Sequence, residues 1–376
     1  MPISFIDLKQ QHKEIEVELK DALSRVLSGG IFCIGPEVEA FEEDWARFCD
    51  VQSAASVACG TDAITLALVA SGAVRKGQED EVIVPALTAG YTALAVLNAG
   101  GVPVFADIDP QTYTLDPNTL EEAISPRTRA IVPVHLYGQM ADMPAICDVA
   151  GRHSLVVVED AAQSHGARLN GKSAGAFGHA AAYSFYPTKN LGACGDGGAV
   201  VSNDVALIER VKTLRQSGHP AAMQGETEGR NSRLDEIQAA LLRVKLKRLA
   251  DWNRQRQKLA GIYCEMLQAA TRLRLPHVRQ PEAHVFHLYV VEHSDRDNLR
   301  ANLAASGIDT MIHYPFLLHQ QKLFRRNVKK RLSVAERVVG RMLSLPLYPQ
   351  LSEDDVRSVA STILEFETRA NQVRTS

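Results

Sequence analysis

A lysine at position 189 stands in a setting that suits covalent chemistry with a carbonyl compound. Residues 184–192 read SFYPTKNLG, and a glycine-dense stretch, GDGG, follows at residues 195–198. Glycines leave room beside the chain for a planar ligand. A lysine in such a pocket can lose its proton at modest pH and form a Schiff base. The alternatives are a solvated lysine on a loop and a dinucleotide-binding loop, for which the glycine spacing is a weak match.

A carboxylate marks a second candidate position. Residues 158–166 read VEDAAQSHG and continue an apolar run, which places Asp160 at the carboxyl end of a predicted strand. Open α/β sheets bind their ligands at that edge. A buried aspartate is rare unless a cation pairs with it, and a protonated ring nitrogen is such a cation. A helix N-cap or a structural ion pair is the alternative interpretation of Asp160.

The third feature is a short strand that runs into a helix at residues 59–62, which read CGTD. Gly60 allows a ligand to approach the backbone, and Thr61 can cap the helix. The free N–H groups and the dipole at a helix start favour an anion. Phosphate binding is therefore the functional interpretation, and an ordinary capped turn is the alternative.

Together these three features predict a site for pyridoxal phosphate. The helix start at Gly60 would take the phosphate, and Asp160 would hold the proton on the ring nitrogen. Lys189 would hold the aldehyde and later move a proton. This chemistry requires all three residues at one edge of a sheet, so the chain must supply strands that end there.

The strands that could do this are four apolar, largely β-branched runs that alternate with helical segments. The runs cover residues 80–85, 101–107, 129–134 and 155–160, and the helical segments include residues 62–70 and 92–99. Apolar residues on both faces are typical of buried, mostly parallel strands. Strands that alternate with helices indicate a doubly wound α/β sheet.

The pattern changes after about residue 230. Residues 232–269 show apolar positions at helical spacing, and a strand (residues 285–291) and a helix (residues 296–306) follow. Such a mixture predicts a second, smaller α+β unit that the long helix connects to the first.

We therefore expect two domains. The larger one, over residues 1–250, would bind the cofactor, and the smaller one would cover residues 251–376. The first stretch of the chain, residues 1–30, is expected to pack on the smaller domain.

The composition narrows the classes of function. The chain has 376 residues, a length that is typical of two domains. Hydrophobic residues make up 45% and charged residues 23%, close to the average of globular proteins. The net charge is −3, whereas a protein that grips nucleic acid usually carries a strong basic excess. No apolar run approaches the ~18 residues of a membrane-spanning helix, and no secretory signal is visible. We expect a cytoplasmic protein with six free cysteines and no metal site.

The motifs, taken in order, resemble those of the DegT/DnrJ/EryC1/StrS family of sugar aminotransferases, which have the aspartate-aminotransferase-like fold (fold type I of the pyridoxal phosphate enzymes). The resemblance covers nearly the whole chain. Besides CGTDA, VEDAAQSHGA, SFYPTKNLG and GDGGA, it runs through FIDL (residues 5–8), GPEV (35–38), NSRLDEIQAA (231–240), IHYP (312–315) and LPLYP (345–349). It implies a large domain with a mixed, mostly parallel sheet and a smaller C-terminal α+β domain.

The resemblance also implies a role for each matching residue. Lys189 would form the Schiff base, Asp160 would pair with the pyridine nitrogen, and Gln163 would lie against the cofactor near its ring hydroxyl. The phosphate would be held by Gly60, Thr61 and Ser184. Asn231 would reach the phosphate of the neighbouring subunit's cofactor, which makes the protein a homodimer with shared active sites.

One position departs from the family's pattern. The family has an aromatic residue after the threonine of the P-x-x-T stretch, and its ring stacks on the cofactor, whereas this chain has Ala89. Tyr91, two residues on, is one candidate for that ring, and an open face for a bulkier substrate is the other possibility. His313 and Tyr314 match a stretch that lines the substrate pocket in relatives. A buried, satisfied histidine is the alternative for His313.

The activity that the resemblance implies is that of a pyridoxal-phosphate-dependent transaminase (EC 2.6.1 type). It would convert a nucleotide-linked keto-hexose, a dTDP-3-oxo- or dTDP-4-oxo-6-deoxyhexose, to the amino sugar. L-Glutamate would donate the amine, the kinetics would be ping-pong through Lys189, and amination at C3 is favoured. The product would serve the synthesis of O-antigens, surface glycans or antibiotic sugars.

Two other functions compete with this one. A sugar dehydratase of the same family would remove a hydroxyl group, but in that branch a histidine takes the place of the lysine. A regulatory protein would bind the cofactor as a sensor without turnover, but no helix-turn-helix pattern or basic excess supports it.

Overall fold

Seven strands form the larger sheet of the computed structural model, which describes residues 2–217, 229–324 and 331–375, with side chains up to residue 369. They are β1 (Ser53–Val57), β2 (Glu81–Pro85), β3 (Val102–Ala106), β4 (Thr128–Ile131), β5 (Val156–Asp160), β8 (Ala180–Ser184) and β9 (Gly198–Ser202). The order in space is β1-β9-β8-β5-β4-β2-β3. The five strands from β3 to β8 are parallel, whereas β9 and β1 each run antiparallel to their neighbours.

The predicted apolar runs are thus confirmed as strands, with small changes at their ends. The run at residues 129–134 ends as a strand at Ile131, because Pro133 has no N–H to continue the ladder. The antiparallel direction of β9 was not foreseen, because the apolar run GAVVS has the same composition in either direction.

Helices cover both faces of this sheet. The helices are α1 (Leu8–Glu14), α2 (Glu16–Gly29), α3 (Pro36–Phe48), α4 (Gly60–Ala70), α5 (Gly90–Asn98), α6 (Leu120–Ala123), α7 (Met143–Arg152), α8 (Val205–Leu214), α9 (Glu236–Leu267), α10 (Arg296–Ala305), α11 (Ser333–Val338) and α12 (Glu353–Thr375). One core contains α4, α5 and α8, and the other contains α3, α7 and part of α9. Val82 and Val84 point into the first core and Ile83 into the second, as the two-residue period of a strand requires. None of the described helices is both long enough and apolar enough to cross a bilayer.

A second, three-stranded sheet follows in the C-terminal part. Its strands are β10 (Leu273–Arg274), β11 (Tyr289–His293) and β12 (Met342–Leu345), all antiparallel, and a short hairpin, β6 (Arg168–Leu169) with β7 (Lys172–Ser173), lies elsewhere. The third core contains this sheet, α10, α12 and the C-terminal half of α9. Ile3 bridges to Ile308 beside this core, while α2 packs Ala22 and Val26 against α9.

The strand predicted at residues 285–291 is displaced, since β11 begins only at Tyr289. The preceding residues form backbone hydrogen bonds with the loop after β4 instead. Val285 donates to the carbonyl of Gly138, and Leu288 donates to that of Tyr137. This segment therefore ties the small sheet to the carboxyl edge of the large one.

The long helix predicted at residues 232–269 is confirmed as α9, with a later start. Residues 232–235 are extended, because Ser232 donates its N–H to Arg215 and Asp235 bridges to Cys33. The helix continues across residue 250, where we place the division between the two domains. That division stays a prediction.

Glu236, at the start of α9, links this helix to α3. Its buried carboxylate accepts the backbone N–H groups of Gly35 (2.7 Å), Glu37 (2.9 Å) and Val38 (3.0 Å). These are donors that the start of α3 cannot satisfy within the helix. The carboxylate also complements the positive end of the helix dipole.

We predict that Glu236→Ala destabilises the protein by about 3 kcal/mol, because two buried donors and one partly buried donor lose a charged acceptor. A urea unfolding curve measures this change. The control is Glu16→Ala, which removes an exposed ion pair with Lys20 and should leave the unfolding midpoint nearly unchanged. Equal unfolding midpoints for the two variants would contradict the prediction.

Candidate active site

The parallel pairing of β5 with β8 brings Asp160 and Lys189 to one edge of the large sheet. Asp160 is the last residue of β5 and lies opposite Ala182 of β8. The chain leaves β8 at Ser184 and turns, with the N–H of Lys189 donating to the carbonyl of Tyr186 at 2.8 Å. Desolvation lowers the pKa of Lys189 to about 8, and the negative charge of Asp160 acts in the opposite direction. The amine is therefore a usable base and nucleophile near neutral pH.

The Asp160 carboxylate is 5% exposed and already holds two donors. The hydroxyl of Thr92 donates to Oδ2 at 2.7 Å, and the N–H of Ala162 donates to Oδ1 at 3.2 Å. Desolvation raises the pKa of Asp160, and the Thr92 hydrogen bond opposes that rise. A protonated ring nitrogen would compensate the buried charge, so the environment fits the predicted role. Sequence reasoning missed Thr92, whose only signal is a hydroxyl in an otherwise apolar helix.

The neighbouring Glu159 has a different task. Its fully buried carboxylate accepts from His135 Nε2 (2.9 Å) and from the N–H groups of Gly175 (2.9 Å), Phe177 (2.9 Å) and Gly178 (2.7 Å). The other ring nitrogen of His135 accepts from the N–H of Ala141, so Nε2 carries the proton. These bonds hold the end of β5 in place. Glu159 supports the site without facing it.

The helix start predicted to hold phosphate packs directly on the end of β8. A Cβ atom added to Gly60 would lie 2.6 Å from Cβ of Ser184, so only glycine permits this approach. Cys59 at the N-cap provides no side-chain hydrogen bond to α4. The start of the helix therefore keeps N–H donors for an anion, with the hydroxyl-bearing residues Thr61 and Ser184 beside it.

These observations fit pyridoxal phosphate. The uncapped helix start at Gly60 suits the phosphate, and the buried Asp160 suits a cationic ring nitrogen. Lys189 Nζ has no hydrogen-bond partner within the described ranges and is available to a carbonyl group. The three predicted features therefore meet at one place.

Gln163 joins this edge to the predicted substrate residues. Its Oε1 accepts the N–H of Tyr137 at 2.7 Å, and its Nε2 donates to the hydroxyl of Tyr314 at 3.0 Å. The Tyr137 hydroxyl in turn donates to the carbonyl of His313. Sequence reasoning missed Tyr137, which no motif singled out.

His313 and Tyr314 are polar but uncharged at neutral pH. Desolvation and the nearby charge of Lys189 lower the pKa of His313 to about 4. Desolvation raises the pKa of Tyr314 to about 12. The Nδ1 of His313 is 2.9 Å from the hydroxyl of Ser344, which leaves its other nitrogen for a ligand. Both residues can offer hydrogen bonds to a hydroxylated substrate.

Two of the predicted site residues, Tyr91 and Asn231, are exposed to solvent. Tyr91 is 67% exposed on the first turn of α5, next to Thr92, so its role as a stacking ring stays a prediction. Asn231 is exposed, although Arg230 pairs with Asp62 of α4 at 2.7 Å. The position of Asn231 is compatible with a contact outside its own chain.

The chain is similar to proteins of known activity over almost its whole length. The model of the DegT/DnrJ/EryC1/StrS aminotransferase family matches residues 13–364. A dTDP-3-amino-3,4,6-trideoxy-alpha-D-glucose transaminase of Streptomyces venezuelae is 43% identical, over 98% of this chain and 97% of its own. A UDP-N-acetyl-3-dehydro-alpha-D-glucosamine 3-aminotransferase of Acidithiobacillus ferrooxidans is 41% identical, over 96% of this chain and 97% of its own. The crystal structure of DesV from S. venezuelae, with a ketimine intermediate, has a TM-score of 0.94 and 43% identity and covers 97% of this chain and 98% of its own.

We predict that the rate at which the cofactor-free protein captures pyridoxal phosphate rises with pH through a midpoint near 8. Only the neutral amine reacts, and Lys189 is neutral above its lowered pKa of about 8. Asp160→Asn should move the midpoint to lower pH, because the charge of Asp160 raises that pKa. It should also slow transamination at least ~100-fold. Stopped-flow absorbance measures the capture rate.

A capture midpoint near 10.5, the ordinary pKa of a lysine, would contradict the burial argument. An Asp160→Asn variant with parental kinetics would show that Asp160 does not contact the ring nitrogen.

Proposed function

Since the chain belongs to the DegT/DnrJ/EryC1/StrS aminotransferase family and is a pyridoxal-phosphate-dependent aminotransferase, we propose that it aminates C3 of a nucleotide-linked 3-oxo-hexose. The predicted family, fold class and cofactor are confirmed. The observation that carries the proposal is the placement of Lys189, with its lowered pKa, beside the buried Asp160 and the uncapped start of α4.

The choice of C3 is supported by the relatives. The S. venezuelae and A. ferrooxidans enzymes are named for different nucleotides, dTDP and UDP, but both names place the amine at position 3. We take a dTDP-3-oxo-6-deoxyhexose as the substrate, with the 4-oxo sugar and the UDP sugars as competitors. L-Glutamate is the proposed donor.

The residues divide the work of a ping-pong transamination. Bound pyridoxal phosphate supplies the electron sink that stabilises negative charge at the carbon bearing the amine. Lys189 Nζ takes the proton from Cα of the amino-acid donor and, in the second half-reaction, returns a proton to C3 of the sugar. Asp160 keeps the ring nitrogen protonated through its buried negative charge. His313 and Tyr314 would orient the hydroxyl groups of the sugar.

Gln163 has a positioning task between these groups. Its amide is held at both ends, by the N–H of Tyr137 and by the hydroxyl of Tyr314. The cofactor side and the substrate side of the site are therefore linked by one rigid side chain. The proposed contact of Gln163 with the ring hydroxyl would use its remaining amide proton.

The first experiment is an absorbance scan of the protein with pyridoxal phosphate. A visible band from the lysine-linked cofactor should form and then disappear when L-glutamate is added. The aminated cofactor should then react with dTDP-3-oxo-6-deoxyglucose faster than with its 4-oxo isomer or with UDP-linked 3-oxo sugars. Lys189→Ala should show no visible band and no turnover while keeping the parental circular dichroism spectrum.

Each outcome bears on a separate part of the proposal. A band that ignores glutamate would exclude that donor, and a preference for 4-oxo sugars would overturn the choice of C3. Near-parental turnover by Lys189→Ala would exclude Lys189 as the catalytic lysine. The release of water from the sugar, with no amino sugar formed, would favour the dehydratase.

We further propose a homodimer in which Asn231 holds the phosphate of the partner's cofactor. Support comes from the exposure of Asn231 and from the resemblance of residues 231–240 to the family motif. A shared site requires two copies related by a twofold axis.

Mixed dimers test this arrangement. Lys189→Ala and Asn231→Ala should each be nearly inactive at low cofactor concentration when expressed alone. When the two variants are expressed together, a mixed dimer contains one site with both residues intact, so about a quarter of the parental activity should return. If Asn231 acted within its own chain, no activity would return, and the shared site would be excluded.

A further inference from the structure

Asn253, on the long helix α9, lies between the two loops that carry the proposed catalytic groups. Its Nδ2 donates to the carbonyl of His165 at 2.8 Å, in the loop that follows Asp160. Its Oδ1 accepts from Nδ2 of Asn190 at 2.8 Å, and Asn190 is the residue after Lys189. One buried amide therefore spans the Asp160 loop (residues 161–167) and the Lys189 loop (residues 185–197).

The orientation of this amide follows from its partners. The carbonyl of His165 can only accept, so Nδ2 of Asn253 must face it. Asn190 gives its second amide proton to the carbonyl of Val285 at 3.1 Å, and its Oδ1 lies 3.2 Å from Nδ1 of His287. Both ends of both amides are thus paired, and neither side chain can flip without losing hydrogen bonds.

Burial makes the bridge rigid. Asn190 is 2% exposed and Asn253 7% exposed, so water cannot easily replace a lost partner. The backbone at Gly166 also passes close to the Asn253 side chain, since a Cβ atom on Gly166 would lie 2.9 Å from Nδ2 of Asn253. Gly166 has a φ of +88°, which a residue with a side chain rarely adopts. The glycine at position 166 therefore leaves the space that the amide of Asn253 occupies.

The Asp160 loop is also bonded to the end of β8, at Ser184. The ring of His165 places Nε2 2.9 Å from the carbonyl of Ser184, at the end of β8. Lys189 itself has no side-chain hydrogen bond among the described residues, so its distance from Asp160 depends on the backbone that carries it. Asn253 adds a second link, because it joins the Asp160 loop to the side chain of Asn190, the residue after Lys189.

We propose that Asn253 is a positioning residue for transamination, which holds the Lys189 loop and the Asp160 loop at the separation that proton transfer requires. The inference rests on the proposed role of Lys189. Asn253 touches neither the cofactor nor the substrate in this assignment and acts through Asn190 and His165. An error of about 1 Å in such an alignment can cost ~100-fold in rate.

Asn253→Leu and Gln257→Met form a matched pair of variants. Leucine has the same number and branching of side-chain heavy atoms as asparagine but makes neither hydrogen bond. Gln257, one turn further along α9, donates to the carbonyls of Pro281 (3.2 Å) and His284 (3.0 Å), and within the described residues it makes no hydrogen bond to the Lys189 loop. Both variants lose amide hydrogen bonds of α9, but only one of them releases the catalytic loops.

The readouts separate positioning from stability. For Asn253→Leu we expect kcat with L-glutamate to fall about 10- to 100-fold with KM nearly unchanged. The pH midpoint for capture of pyridoxal phosphate should shift from the parental value, because both the desolvation of Lys189 and its distance from the charge of Asp160 change when the loops separate. Gln257→Met should keep the parental kcat and pH midpoint.

The titratable groups near Lys189 in the described part of the chain do not interfere with this pH measurement. Asp160 acts electrostatically on Lys189, and the charge of Lys189 acts on three histidines. Both variants keep all four side chains, which are Asp160, His165, His287 and His313. Desolvation lowers the pKa of all three histidines, to about 3 for His165 and about 4 for His313. They stay neutral where Lys189 titrates.

An Asn253→Leu variant whose kcat and pH midpoint match those of Gln257→Met would overturn the inference and leave the proposed function intact. If the parental protein forms no visible band with pyridoxal phosphate, both fail together. Should Asn253→Leu not fold, Asn253→Asp decides. It keeps the acceptor for Asn190 but sets an oxygen against the carbonyl of His165, so the same loss of kcat is expected, and a parental kcat would contradict the inference.

Discussion

A partly buried lysine amine beside a buried carboxylate is the interaction on which the rest of this site depends. Desolvation lowers the pKa of Lys189 to about 8, while the charge of Asp160 limits the fall. Burying either charged group alone would cost free energy, because its hydration would be lost without an opposite charge to compensate. The pairing exists because β5 and β8 are parallel neighbours whose carboxyl ends share one edge of the sheet. The hydroxyl of Thr92 then stabilises the charged form of Asp160.

The long helix α9 supports this edge from behind. Glu236 at its start holds the beginning of α3, and the buried Lys245 donates to the carbonyl of Gly192, three residues after Lys189. Asn253 joins the Asp160 loop and the Lys189 loop, and Arg256 donates to three backbone carbonyls of the C-terminal part. One helix therefore contacts α3, both loops and the segment that leads to the small sheet. A change in its packing would be transmitted to the site directly.

Much of the fold could be predicted because its signals are local. The apolar runs that became β2, β3 and β5 are short and β-branched, and the spacing that became α9 repeats with the helical period. The exceptions have a common origin. The direction of β9 and the irregular form of residues 284–288 are set by partners far along the chain, and neither leaves a periodic pattern in the sequence.

The residues of the candidate site also fall into those that local sequence patterns predict and those that only the folded structure brings together. The sequence by itself predicted Lys189, Asp160 and Gly60 as residues of the site, because each residue type follows a predicted strand or opens a helix, and chemistry at such a position needs little further context. Only the tertiary structure decided that Thr92 reaches Asp160 and that Asn253 bridges His165 and Asn190. These contacts join residues 63 to 88 positions apart, and Asn, Thr and Ser side chains occur throughout the chain. A hydrogen bond between distant residues depends on how the helices pack on the sheet. It therefore forms only in the folded chain, and no local sequence pattern predicts it.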